Sequence, residues 1–509
     1  MMTRAAIAGI AFLGCLVFDL EPVNALEKIS DLTQECLDCH EAATPGIVAD
    51  WKKSLHALVT PADALKKPDL KRRITAASVP DRLANVVVGC AECHTLNPAD
   101  HKDAFEHGSE KVHLTVTPKD CGVCHPDEQK QYEKNLMSHA WLNLAKNELY
   151  GTLEKAVNGA QSLKDMKTTI AAPDAKTNED SCYHCHGTRL QVEGKTTRDT
   201  SYGELEFLVI SGWPNQGVGR MNLDGTMGSC VPCHSRHSFS IEQARKPYTC
   251  SQCHKGPDVV AYKVYSVSKH GNIFFSLWDK WNFSEVPWTA GKDFTAPTCA
   301  ACHVSLVVDA DGKVVAKRTH QMADRIPWRI FGLPYGHPHP ASPDTTKIRN
   351  KDGLPLPTAL DGTFADAYLI SEQERKERRE TIQKVCLQCH ASSWVNGHWD
   401  RFENAIKTTN AMTLTATEIL QKAWDAKVAD PSNLFDEAIE KQWMQQWFFY
   451  ANSTRFASAM HGADYGVFAE GRWHLARTPQ DMLDHLRFLL RAREETSESA
   501  SNTHRQRKE

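Results

Sequence analysis

The chain has 509 residues, 41% of them hydrophobic, with a formal net charge of −4. That charge leaves no electrostatic footprint for nucleic acid. No run of about 18 or more apolar residues lies beyond the N-terminal segment, so nothing in the mature chain is built to cross a membrane. The anomaly is the seventeen cysteines.

The first 25 residues read as a signal peptide. Arg4 supplies the positive end, AAIAGIAFLGCLVF the apolar core, and Val23-Asn24-Ala25 a small-residue cleavage site. The apolar run continues past Cys15, which argues against lipid attachment at that residue. The expected compartment is the periplasm, with a soluble mature protein.

The other sixteen cysteines fall in eight copies of Cys-x-x-Cys-His: CLDCH, CAECH, CGVCH, CYHCH, CVPCH, CSQCH, CAACH and CLQCH. Chance would supply about 0.03 copies at this composition. Two thiols three residues apart reach the two vinyl groups of a haem, and the histidine that follows lies under the iron. Zinc sites and redox dithiols use the cysteine pair without needing that histidine. Eight c-type haems are therefore expected. The attachment sets are Cys36, Cys39 and His40; Cys90, Cys93 and His94; Cys121, Cys124 and His125; Cys182, Cys185 and His186; Cys230, Cys233 and His234; Cys250, Cys253 and His254; Cys299, Cys302 and His303; and Cys386, Cys389 and His390.

Eight closed haems would need eight more axial ligands, and sixteen histidines lie outside the motifs. Bis-histidine ligation suits electron transfer, whereas a haem that performs chemistry keeps one face open. Seven closed haems and one open one are expected. The free histidines with the best contexts are His56, His139, His237, His270 and His461, with His101 and His113 competing for one role. His337 and His339, in YGHPHP, read as loop residues.

The motifs are unevenly spaced, so no fixed-period repeat is present. After motif seven, SLVVDADGKVVAKRTH predicts a β-hairpin about Asp311-Gly312 that ends at His320. Residues 341–362 read as loop. Past residue 390 the pattern turns helical. One segment has Trp443 and Trp447 on one face, packed on haems or on a neighbouring subunit. Another starts at a Thr478 cap with Pro479 in first position. The divisions are 1–25 signal peptide, 26–390 haem domain, 391–497 helical segment packed on it, and 498–509 disordered tail. The fold class is mainly α with little β.

Through CVPCHSRHSFSIEQARKPYTCSQCH, SVSKHGNIFFSLWDKWNF and APTCAACH the chain resembles the octahaem hydroxylamine oxidoreductases. That resemblance implies a mainly helical trimer acting on small nitrogen compounds and exchanging electrons with a partner cytochrome or quinone-linked carrier. It implies that the motif-four haem, on His186, is catalytic. In RTHQMADRIPW it implies His320 as a group over the open face, with Asp324 and Arg325 to tune it or bind an anion. The plain alternative for His320 is another distal ligand. Oxidative members join a tyrosine to the catalytic haem in a segment resembling Trp-Thr-Tyr-Thr-Glu-Gly-Trp. Aligning Glu470-Gly471 puts Phe468 at that place, with Tyr465 three residues earlier. A phenyl ring offers no oxygen, so the departure favours reduction of nitrite or hydroxylamine to ammonium. Hydroxylamine or hydrazine oxidation through Tyr465 is the alternative, and a pure electron-transfer cytochrome is a third reading.

Overall fold

The computed structural model describes residues 28–506 apart from Met166 and Gln216. The signal-peptide reading and Cys15 lie outside the described residues. About 48% of the residues are helical and 12% are in strands, which makes the fold mainly α.

Up to residue 370 the described helices are short, the longest being Asp31–Ala43. The reason is local. Three motifs wind about one turn, Cys90–His94, Cys182–His186 and Cys299–His303, and the chain then turns away. After His186 the break is enforced by Gly187, at φ 92°, where a Cβ would fall 2.3 Å from the Arg220 nitrogen. Buried Glu92 joins the first two motif helices. Its carboxylate accepts from Ser30 Oγ (2.6 Å) and Thr33 Oγ1 (2.7 Å) and from the Gly89 N–H (2.9 Å).

The strands form small separate sheets. The hairpin after motif seven forms from Val307–Val308 and Val314–Ala316, with Gly312 at φ 80° in its turn. A longer hairpin, Gln191–Thr200 with Gly203–Ser211, was not anticipated. At its tip the Tyr202 hydroxyl donates to the Cys39 carbonyl (3.4 Å), so it reaches across to motif one.

The C-terminal part is a helical bundle. Ser392–Asp425 has 34 residues and spans about 50 Å. It packs with Ala438–Gln445, the π-helical turn Gln446–Ala451, Asn452–Met460 and Arg472–Gln506. Ala416, Leu420, Ile439, Trp443, Trp447 and Met482 form its core. Trp443 and Trp447 meet edge to face at 5.6 Å there, and the Trp443 Nε1–H donates to Thr417 Oγ1 (2.9 Å). They serve the bundle itself, not the haems or a neighbour.

Two boundaries need correction. Helix Arg472–Gln506 starts before Thr478 and carries Pro479 inside it, and it continues through residues 498–506, which had been read as disordered. Pro479 has no N–H for the Leu475 carbonyl. Gln446 Nε2 donates to that carbonyl instead (3.4 Å), so the helix passes through the proline.

Candidate functional site

One cavity of about 3130 Å³ runs through the protein, and all sixteen motif cysteines and eight motif histidines line it. Ordinary ligand pockets span about 300–1000 Å³. A space this large, walled by paired cysteines with a histidine beside each pair, fits a set of covalent haems.

Contacts between motifs give their order. The thiols of Cys36 and Cys90 meet, as do those of Cys121 and Cys230, Cys185 and Cys253, and Cys250 and Cys299. Cys93 lies near Cys124, Cys233 near Cys250, and Cys302 near Cys386. Motifs one, two, three, five, six, seven and eight therefore form a line, and motif four branches from motif six.

Two imidazoles bound through Nε2 to one metal at about 2 Å put their ring centroids about 6 Å apart. Five motif histidines have such a partner: His40 with His107 (6.2 Å), His94 with His237 (6.5 Å), His125 with His56 (6.3 Å), His234 with His320 (6.3 Å) and His390 with His270 (6.1 Å). His94 also lies 6.1 Å from His113, but on the side where its Nδ1–H donates to the His113 carbonyl (2.7 Å). That bond fixes the tautomer and leaves Nε2 to face His237. Among the described residues, His186, His254 and His303 have no histidine ring at such a separation.

Three of the histidines singled out in the sequence, His56, His237 and His270, each lie opposite a motif histidine. His320 faces His234 of motif five, so it is not set over motif four. Asp324 is exposed, and its Oδ2 accepts from Thr319 Oγ1 (2.7 Å) within a turn. Arg325 is buried with its guanidinium spent on backbone carbonyls. It donates to Ala301 (3.2 Å), Cys302 (3.1 Å), Ser305 (2.9 Å) and Lys317, and so holds the end of the motif-seven helix instead of offering a free cation. Tyr465 packs with Val260, Val264 and Ala457 and does not line the haem cavity. His101 and His113 stack on each other at 3.4 Å, with His101 held between Asp103 and Asp120. His139 shares a hydrogen bond with Ser138 Oγ (3.0 Å), and His461 shares one with His398 (2.8 Å). None of these four faces a motif histidine across an iron-sized gap.

The motif-four surroundings contain polar groups that the sequence reading missed. His186 Nδ1 lies 3.4 Å from the Ala140 carbonyl, and Asn158 Nδ2 donates to Ser181 Oγ (2.7 Å) and approaches Cys182 Sγ (3.6 Å). Glu154 shares a hydrogen bond with Tyr183, and burial raises its carboxyl above the usual range. Arg329 lines the same cavity. Its positive charge acts on His186, Tyr150, His337 and His339. Burial pushes the His339 imidazole down to about 3, with Arg329 adding to the effect, so it is neutral at ordinary pH. His107, missed as a partner of His40, lies at the end of strand Ala104–His107. Its one signal was a histidine before the turn Gly108-Ser109.

Comparison with known proteins agrees with this architecture. Residues 218–331 match a family described as seven times multi-haem cytochrome CxxCH, and residues 120–206 match cytochrome c554 and c-prime. A solved structure called a hypothetical multiheme protein is 40% identical, with a TM-score of 0.86 over 93% of this chain and 100% of its own. The chain belongs to the multihaem c-type cytochromes. This multihaem cytochrome is 25% identical over 409 residues to a probable nitrite reductase-hydroxylamine oxidoreductase fusion protein of Kuenenia stuttgartiensis, covering 78% of this chain and 38% of that one. It is 24% identical over 279 residues to a high-molecular-weight cytochrome c of Nitratidesulfovibrio vulgaris, covering 47% and 46%. It spans less than half the length of either. A reducing HAO-like protein complex of K. stuttgartiensis shares the fold at 17% identity, with a TM-score of 0.61 over 92% of this chain and 87% of that one. Among the described residues, no helix is long and apolar enough to cross a membrane.

Proposed function

We propose that the multihaem cytochrome carries eight haems, one per motif, and reduces nitrite or hydroxylamine to ammonium over the motif-four haem. One observation carries this reading. The line of motifs has three ends, at motifs one, eight and four; motifs one and eight have an opposed histidine, and among the described residues motif four, like motifs six and seven within the line, has none. His186 at the end of that branch would hold a haem to which the other haems could pass electrons for a substrate.

The haem at that place supplies electrons and an iron site for the nitrogen. The surrounding side chains supply what an anion with a proton demand needs. Arg329 is a half-buried cation with which nitrite can pair. Reduction of nitrite or hydroxylamine to ammonium consumes more protons than electrons, so the site must deliver both. Neutral His339 can pass protons, and the partly buried Glu154 carboxyl, with its raised pKa, can hold one. The lack of a phenolic oxygen at Phe468 supports reduction over oxidation, and the name of the Kuenenia relative supports nitrogen-compound redox chemistry of either direction.

The mature protein acts in the periplasm, receives electrons from a cytochrome or quinone-linked carrier, and assembles as a homotrimer. Exposed Phe468 (72%), Trp473 (61%) and Phe488 (66%) support a subunit contact on the C-terminal helices. The test is electron paramagnetic resonance of the oxidised protein, joined to nitrite and hydroxylamine reductase assays with a chemical electron donor. A high-spin ferric signal that changes when nitrite is added, with ammonium as product, is expected. A protein entirely low-spin and inert to both substrates would be an electron carrier only. A motif-four peptide linked to Tyr465 in mass spectrometry would reverse the direction assigned here.

A further inference from the structure

The loop from motif two to motif three folds a second buried polar centre beside the haem cavity. His101, Asp103, His113 and Asp120 are all buried. The two imidazoles lie parallel, with centroids 3.4 Å apart and 5° between planes. His101 Nδ1 is 3.4 Å from Asp103 Oδ1, and its Nε2 is 3.2 Å from Asp120 Oδ2. Ligand-capable atoms of His101, His113 and Asp120 all lie within 4.8 Å of one another. The carboxylates are fixed by the backbone. Asp103 Oδ2 accepts from the N–H of Leu114 (3.1 Å) and Thr115 (2.8 Å), and Asp120 Oδ2 accepts from the N–H of Thr117 (2.8 Å).

Two facts show the centre to be incomplete. His113 Nδ1 is buried with no partner, and His101 Nδ1 and Asp103 Oδ1 face each other only as an ion pair at 3.4 Å, outside hydrogen-bond geometry. His113 Nε2 donates to the Leu96 carbonyl (2.9 Å), so its Nδ1 is a bare lone pair. Charge is also unbalanced, since two carboxylates against at most one imidazolium leave a negative charge over. A divalent cation in place of the His101 proton makes the cluster neutral and uses the free lone pairs.

We propose that His101, Asp103, His113 and Asp120 bind a divalent transition-metal ion of the zinc type. Imidazole and carboxylate donors suit such an ion. Bonds of about 2.0–2.2 Å require ligand atoms within roughly 3.5 Å of one another, so the side chains close inward and the stacked rings turn their nitrogens to the ion. The ion ties two haem motifs together. The His113 carbonyl holds the Nδ1–H of His94, and Asp120, next to Cys121, caps the motif-three helix.

Elemental analysis of the haem-loaded full-length protein tests this, before and after chelator treatment and incubation with Zn²⁺ alone. About one zinc ion per chain is expected, removable and restorable. His113→Asn and His101→Asn should each lower zinc uptake at least tenfold at unchanged haem content. Haem-loaded wild-type protein that neither contains nor takes up a divalent ion would overturn the proposal, whatever the variants do. So would zinc uptake that both variants retain, since the ion would then sit elsewhere.

Discussion

Arg329 is half-buried and Arg325 buried, both near haem motifs, but their surroundings give them different work. Arg329 faces the cavity, so Arg329→Gln should raise the KM for nitrite about 10- to 100-fold, the worth of a charge-assisted hydrogen bond of about 1.5–3 kcal/mol. The KM for uncharged hydroxylamine should change much less, and steady-state assays on both substrates check this. Arg325 satisfies four carbonyls, so Arg325→Met should cost about 3 kcal/mol or more and lower the thermal midpoint by several degrees. Activity per haem of the surviving protein should hold. His337 is fully buried, its Nδ1–H donates to the Pro338 carbonyl (2.6 Å), and burial pushes its pKa down to about 3. An unfolded chain takes up that proton near pH 6.5, so the unfolded state binds more protons and stability falls as pH drops from about 6.5 toward 3. Thermal unfolding at pH 7.5 and 5 should show the loss, and His337→Gln should shrink it.

The elements show where sequence reasoning reaches its limit. The motif peptides were legible because the chemistry of attachment fixes three positions within a span of five. His56, His237 and His270 were singled out from their contexts, and each lies opposite a motif histidine. His107 and His320 were not assigned their partners, because facing rings from residues 67 and 86 apart is a property of the packed chain alone. The hairpin Ala104–His113 shows the difficulty well. It carries both His107 and His113, and only its place in the fold sends one to His40 and the other to His101. Pro479 misled for a related reason, since the donor that replaces its missing N–H comes from Gln446, 33 residues earlier. Gln446→Leu removes that donor and the bond to the Met412 carbonyl (3.1 Å). It should destabilise the protein by about 1–3 kcal/mol, read as a lower denaturation midpoint with unchanged haem content.

At the scale of the whole molecule, the fold is a cavity for cofactors closed by a helical bundle. The apolar clusters around the motifs are small, and the largest cluster lies in the bundle. The haem class and the helical character follow from composition and motif count. The branching order does not, because it rests on contacts such as Cys185 with Cys253 and Cys250 with Cys299 that the uneven motif spacing does not encode. That order makes motif four an end point, and the account depends on its iron being open. A diffraction structure of the haem-loaded protein soaked in nitrite tests this most directly. The account predicts nitrite, or a water it displaces, on the iron above His186, near Arg329, with His107, His237, His56, His320 and His270 closing the irons of His40, His94, His125, His234 and His390. A protein side chain bound to the sixth position of the motif-four iron would contradict it.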